Sequence, residues 1–442
     1  MKYHKLQKNI QRFSDAGNKN FRLIFFAFIV GLIAGTFGTV FRLTLSYIDD
    51  FRNTLFANAH HSGFINWILP LLFGVAGIGV SLILVKKFAP EASGSGVQEI
   101  EGALDGIRPL RWKRILPVKF FASLFSLGSG LLLGREGPTI QIGANAGKMT
   151  EDIFKQPPDE KNPLISAGAA AGLASAFNAP LAGIIFVIEE MHGHFRHTFY
   201  SVAAIMVASG TADLIVRIFI GADPVIKMSI FHNPDISAIW MFVVLGFFLS
   251  LVGYLFNKLI VTVLNFFENI SKTILIVSII FAGILITITG ILSPDMIGGG
   301  YGTVRMVLDN SFTLKFLAVL FVGRMLLTIF SYGIGVSGGI FAPLLALGVV
   351  FGMFFGNIAH LYFPDIITNP GIFAVAGMAG IFASTVRAPL TGLVLAVEMT
   401  SNYEMILPLI LTAVTASVVT AQLGNEPIYT TLLKRTVLRK TK

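Results

Sequence analysis

The chain has no cysteine, which excludes a disulfide framework, a thiolate metal site and a thiol nucleophile. It is also poor in charge. Only 13% of its 442 residues are Asp, Glu, Lys or Arg, against about 25% in a soluble domain. That is too little polar surface to cover a water-soluble globule of this length. Apolar residues take the place of charge: 54% are hydrophobic, 40 are Phe, and the mean hydropathy is +0.76. Such a composition also excludes disorder and collagen. Basic residues outnumber acidic ones, 33 to 24. No basic domain gathers that excess, so a nucleic-acid partner is not expected. In a membrane protein the excess is first a topology signal.

Crossing a bilayer core takes about 20 apolar residues. The runs Leu23–Val40, Trp67–Val85, Trp240–Phe256, Ile274–Leu292 and Ile406–Leu423 meet that requirement. The first has no small-residue cleavage site and reads as a retained helix rather than a signal peptide. Residues 1–22 carry Lys2, Lys5, Lys8, Arg12, Lys19 and Arg22 against Asp15 alone. The tail carries Lys434, Arg435, Arg439, Lys440 and Lys442. The positive-inside rule then places both termini in the cytoplasm, with an even number of crossings. The division expected is a cytoplasmic segment 1–22, membrane repeats 23–220 and 221–432, and a short basic tail 433–442 without a soluble regulatory domain.

Other apolar stretches are too short to cross: the one between Lys119 and Arg135, Pro138–Gly147, and Ile340–Phe355. Gly before them and Pro near their starts mark helices that begin inside the membrane. Broken helices are tolerated there only when buried in protein or lining a wet cavity.

The two halves match at a nearly fixed offset. Lys119 aligns with Arg324, and Phe125-Ser126-x-Gly128-x-Gly130 with Phe330-Ser331-x-Gly333-x-Gly335. Pro138, Gly143 and Gly147 align with Pro343, Gly348 and Gly352, all 205 apart. Further on the offset is 209. Ala179-Pro180-Leu181-x-Gly183 matches Ala388-Pro389-Leu390-x-Gly392, and each is followed by a carboxylate, Glu189 and Glu398. Repeats of this kind, often inverted, build transporters with a site at their interface.

Four segments can offer free backbone N–H groups: Gly94-Ser95-Gly96-Val97-Gln98, Gly134-Arg135-Glu136-Gly137-Pro138, Gly339-Ile340-Phe341-Ala342-Pro343 and Glu426-Pro427-Ile428-Tyr429. A helix start leaves about four donors unpaired and carries partial positive charge. Several such starts aimed at one point bind an anion without a buried Lys or Arg. They also let it leave, which a full charge in low dielectric would prevent. The hydroxyls of Ser95 and Tyr429 can add donors. Any one GxG is more often a cap or a packing glycine. An ionisable Glu136 inside such a segment is costly, about 2.5–3.5 kcal/mol on insertion scales. Pairing with adjacent Arg135 explains it poorly, since neighbours in a helix do not face each other.

GSGVQEIEG, GREGP, GGIFAPLLALG and the late Tyr429, in that order across roughly residues 25–435, resemble the CLC family of chloride channels and proton-coupled chloride antiporters. The resemblance implies an all-α multi-pass membrane fold of two inverted repeats with many tilted and broken helices. It implies a homodimer with one anion pathway per subunit. The two basic ends and the compact design point to the inner membrane of a bacterium. The resemblance makes Ser95 and Tyr429 side-chain ligands of a central chloride and Ile340 and Phe341 backbone ligands. It makes Glu136 the external gating glutamate and Glu190 the internal proton-transfer glutamate. Gln98 stands where the bacterial pattern usually has Pro, and Val336-Ser337 where Ala-Pro is commoner. Acids at both proton positions favour an antiporter over a passive channel, the runner-up. A fluoride/proton antiporter is a weaker alternative.

No enzyme activity and no cofactor are expected; chloride and protons are the substrates, and lipid is the surrounding partner. A metalloprotease would need HExxH, which is absent. A rhomboid-type serine site would need a GxSxG elbow with a helical His, and no such elbow is expected. The cluster Met191-His192-Gly193-His194-Phe195-Arg196-His197 lacks a carboxylate at ligand spacing and reads as a solvated loop, not a metal site. Symmetric Glu189 and Glu398 read as structural. Lys119 and Arg324 read as counter-charges to buried carboxylates or helix C-termini rather than pore ligands.

Overall fold

The computed structural model describes residues 2–61, 64–155, 163–195, 197–228, 230–231 and 234–440. Arg196 and Lys442, named above, lie outside them. Among the described residues there are seventeen α-helices and no strand. The first eight are α1 (Lys2–His61), α2 (Ile68–Phe88), α3 (Val97–Leu104), α4 (Trp112–Gly128), α5 (Glu136–Ile153), α6 (Pro163–Phe177), α7 (Pro180–Glu190) and α8 (Phe199–Phe219). The next eight are α9 (Ile239–Glu268), α10 (Lys272–Leu292), α11 (Tyr301–Asp309), α12 (Leu314–Gly333), α13 (Phe341–Tyr362), α14 (Gly371–Thr385), α15 (Pro389–Thr400) and α16 (Ile406–Gln422). The chain closes on α17 (Ile428–Lys440).

Eight segments among the described residues are long and apolar enough to cross a membrane. Five contain or overlap the runs read from hydropathy. Two were missed, Phe199–Phe219 and Leu314–Gly333. Asp213 and Arg217 interrupt the first, and Arg324 the second. Asp213 and Arg324 are buried, so these charges face protein rather than lipid. Ile340–Phe355 needs correction too: its helix runs on to Tyr362 and is long enough to cross. It does begin in the interior, with Ile340 and Phe341 fully buried. The stretch after Lys119 is not a helix of its own, because Lys119 lies inside α4.

Helix starts follow from local chemistry. Thr198, Ser271 and Thr313 accept the N–H groups of Ser201, Ile274 and Phe316 and so cap α8, α10 and α12. Pro180 and Pro389 open α7 and α15, where a missing N–H is harmless. Large apolar side chains stand exposed on many helices, among them Phe25, Leu72, Ile83, Ile276, Val319 and Leu407. Lipid, not water, accommodates such a surface.

The halves are inverted, and two pairs of repeat-related residues show it. Gly134 and Gly339 exchange both backbone hydrogen bonds at 2.7 Å in an antiparallel bridge. Glu189, at the end of α7, accepts the N–H groups of Leu390 and Thr391 at the start of α15. Glu398, near the end of α15, accepts those of Leu181 and Ala182 at the start of α7. Each helix end caps the other's beginning, so α7 and α15 run antiparallel about a local two-fold axis. Both carboxylates are thus structural caps, favoured by the helix dipole.

Small residues let the helices inside each half touch. A Cβ on Gly168 would lie 2.1 Å from Gly143 O, and one on Gly377 2.0 Å from Gly348 O. Helix axes that close cannot admit a methyl group without parting. Gly168→Ala is therefore expected to cost about 2–3 kcal/mol of stability. Gly210→Ala, where a Cβ meets nothing within 4 Å, should cost little. Thermal unfolding of the two detergent-purified variants, followed by size exclusion, checks this; equal losses would refute it.

Candidate anion and proton site

Three glycine-rich loops are tied together at the centre. Besides the Gly134–Gly339 bridge, Gly94 N donates to Val336 O at 2.8 Å and Gly338 N to Gly94 O at 3.0 Å. The starts of α3, α5 and α13 therefore meet. The fourth start joins them through Tyr429, the second residue of α17, whose ring stacks on Phe341 with centroids 6.0 Å apart. Phe341 also packs on Phe186 and Phe382 at 5.4 and 4.8 Å. This aromatic collar keeps water away from the N–H groups of the first turn of α13, which have no acceptor within the helix.

Ser95 and Tyr429 are fully buried, and their hydroxyls lie within interaction range of each other. Among the described residues neither oxygen has a hydrogen-bond partner of good geometry. Buried hydroxyls are nearly always satisfied, so an orphaned pair marks a place where a polar guest belongs. The backbone N–H of Ser95 is engaged by Tyr332 Oη at 3.3 Å, which leaves the side chain as its free donor. Gly137 makes room for it: a Cβ there would lie 2.4 Å from Ser95 Oγ.

Glu136 is fully buried at the first residue of α5. Its Oε2 accepts the N–H of Ala342 at 3.3 Å, in the first turn of α13. Its Oε1 accepts the hydroxyl of Tyr301 at 2.5 Å. The carboxylate thus sits where an anion would sit, at a helix N-terminus. It folds over Gly134, whose missing Cβ would be 2.1 Å away. Arg135 does not pair with it but stacks on the Tyr301 ring, 4.7 Å from the centroid. Ser95, Glu136, Ile340, Phe341 and Tyr429 are therefore brought together. Glu190 is not among them. It is half-buried at the end of α7, one turn beyond Phe186, and within electrostatic range of Glu101, Arg387 and Tyr429. Two residues were missed: Tyr301, and Glu101, whose buried carboxylate oxygens both lack partners among the described residues.

Two cavities approach the site. One, of about 350 Å³, is lined by Gly94, Gln98, Arg108 and Tyr332. The other, of about 380 Å³, is lined by Arg42, Arg135, Tyr301 and Arg305 and ends at the Glu136 side. Gln98 fits in place of Pro because it occupies the first turn of α3, where a side chain can face the cavity. Ser337 in place of Pro supplies an N–H that meets Ser81 Oγ at 3.4 Å, and its Oγ meets Ser123 Oγ at 2.8 Å.

That last pairing also corrects an expectation. The spelling GxSxG does occur, as Gly335-Val336-Ser337-Gly338-Gly339. Among the described residues Ser337 is bound by serines and not by a histidine, so none of them serves as a base to activate it. Lys119 and Arg324 do not pair with carboxylates among the described residues either. Lys119 Nζ donates to Ala92 O and Gly94 O at 3.1 and 2.7 Å. Arg324 donates to Met296 O, Gly298 O and Thr303 Oγ1. Ala92 and Met296 each end a 3₁₀ turn, so the helix-end half of that reading stands. In the histidine loop His194 meets Asp105 at 2.8 Å, and the rings of His192 and His197 lie 4.7 Å apart. Partial burial and the neighbouring His192 hold the His197 imidazole below its usual range. Among the described residues no three His, Asp or Glu side chains gather as metal ligands.

Residues 77–421 match the family described as voltage gated chloride channel. The chain is 42% identical to an H(+)/Cl(-) exchange transporter ClcA of Vibrio vulnificus over 97% of its length and 92% of that protein. It is 39% identical to one of Salmonella agona over 98% and 92%. A crystal structure of a slow cyanobacterial Cl-/H+ antiporter superposes with a TM-score of 0.91 at 38% identity, covering 95% of this chain and 99% of that one.

Proposed function

This chain belongs to the voltage gated chloride channel (CLC) family, and we propose that it is a secondary antiporter that exchanges chloride for protons across a membrane. One observation carries the reading beyond family likeness: the Glu136 carboxylate occupies an anion position, on the Ala342 N–H at the start of α13. A carboxylate and a chloride cannot both hold that position. Protonation removes the charge, and with it the attraction to the helix start. Chloride and proton occupancy then exclude one another at one place, which couples their movement.

In this reading Ser95 and Tyr429 hydroxyls, with the N–H groups of Ile340 and Phe341, hold a dehydrated chloride at the centre. Glu136 gates the outer side. Glu190 hands protons to the inner solution. The basic segments 1–22 and 433–442 lie in the cytoplasm and the membrane is a bacterial inner one; the protein is a homodimer, as the family resemblance implies. It is a transporter and not an enzyme: nothing is covalently changed, and no cofactor is needed.

Reconstitution tests the reading. In liposomes loaded with chloride, outward chloride flow should drive protons inward, against their gradient. The reversal potential should then respond to a pH gradient; a potential set by chloride alone would make the protein a passive channel. At the central site, crystals soaked in bromide should show density among Ser95, Ile340, Phe341 and Tyr429. Ser95→Ala with Tyr429→Phe should weaken chloride binding about tenfold or more by calorimetry, because each removes a hydrogen bond to a charged ligand. Unchanged affinity would remove both hydroxyls from the site.

A further inference from the structure

The pairing of Tyr301 with Glu136 belongs to a second copy of the turn that carries Ser95. Gly94, Ser95, Gly96 and Val97 stand 204 residues before Gly298, Gly299, Gly300 and Tyr301. In both turns the first and third glycines have positive φ: 60° and 87° in one, 68° and 109° in the other. Each third glycine caps a short helix, α3 or α11, and each turn follows a 3₁₀ turn ending at Ala92 or Met296. A buried cation clamps each from behind. Lys119 holds Ala92 O and Gly94 O; Arg324 holds Met296 O at 2.9 Å, Gly298 O at 3.3 Å and Thr303 Oγ1 at 2.7 Å.

The clamp leaves the second turn little freedom. A Cβ on Gly300 would lie 2.5 Å from Ala346 Cβ and 2.9 Å from the Arg324 guanidinium. Tyr301 is thereby delivered to one place, and its hydroxyl donates to Glu136 Oε1 at 2.5 Å. The Arg135 guanidinium stacked on the Tyr301 ring also holds the phenol in place.

We infer that Tyr301, set by Arg324, is a positioning residue for proton–anion exchange: its phenol holds the charged form of Glu136 in the anion position and must release it each time the gate opens. A phenol donates about twice as strongly to a carboxylate as to a neutral acid. The bond therefore favours the closed, charged gate and loosens once a proton arrives. This inference rests on the reading of Glu136 as the outer gate.

Tyr301→Phe keeps the ring and removes only the donor. Holding of the carboxylate should weaken about tenfold, the effect of one hydrogen bond to a charged group. In liposomes the external pH of half-maximal exchange should rise by about one unit, with protons still driven by chloride. In a Glu136→Ala background there is no carboxylate to release, and the effect of Tyr301→Phe should vanish. A pH midpoint within about 0.3 unit of the parent overturns the inference, as does an equal change of chloride flux with and without Glu136; the first criterion follows from tenfold being one pH unit. Arg324→Lys, which keeps a cation but loses the fork, should shift the midpoint in the same direction. If the parent protein itself moves no chloride, the proposed function fails and Tyr301 is not at issue.

Discussion

Glutamine in place of Glu136 is expected to leave a protein that passes chloride but drives no protons. The amide keeps the shape of the side chain, but its single carbonyl oxygen can replace only one of the two carboxylate oxygens that accept the Ala342 N–H and the Tyr301 hydroxyl. It cannot take up a proton at any working pH. The charge that competes with chloride at the start of α13 is gone, and with it the term worth up to about 2 kcal/mol that a helix terminus gives an anion in a partly buried setting. Chloride flux should stay within about tenfold of the parent, since a factor of ten corresponds to only ~1.4 kcal/mol. Proton movement against a gradient should fall to background. Glu136→Ala, which empties the position altogether, should behave alike and lose the dependence of flux on external pH. The check is a paired recording of chloride efflux and of internal pH in liposomes. Residual uphill proton movement in either variant would remove Glu136 from the proton route.

An equally large effect is expected at the other end. Glu190→Gln should abolish proton coupling while chloride exchange runs at close to the parental rate. Glu190 does not share the anion position. It stands one turn beyond the aromatic collar, near the buried and unpartnered Glu101. A neutral amide there breaks a proton route without touching chloride ligands. Its neighbour supplies the control. Glu189 accepts the N–H groups of Leu390 and Thr391 and the Thr391 hydroxyl. Glu189→Gln should therefore lower thermal stability by about 1–2 kcal/mol, the cost of a weakened cap, and leave coupling intact. If Glu189→Gln uncouples and Glu190→Gln does not, the two assignments are reversed.

Much of this was legible in the sequence because it depends on local chemistry. Scarce charge and long apolar runs define the membrane class. Gly and Pro beside short helices mark where those helices begin. Glu136 stood out because an acid in such a segment has no cheap explanation. Phe199–Phe219 and Leu314–Gly333 escaped a hydropathy reading for an equally physical reason: Asp213 and Arg324 are absorbed by the fold, and only packing reveals that Arg324 faces a turn and not lipid.

Taken alone, the sequence determined the class of protein, the paired halves and the residues able to meet an anion, since each follows from composition or from spacing along one helix. Tertiary structure decided what those residues do to one another. It set α7 against α15 so that each carboxylate caps its partner, and it bonded Gly134 to Gly339. It also carried the turn around Gly299 to Glu136. Those contacts join positions between 165 and 217 residues apart, and the offset between the halves drifts from 204 to 209 along the chain. Direction in space, which fixes where an N–H or a phenol points, is not written in any local pattern.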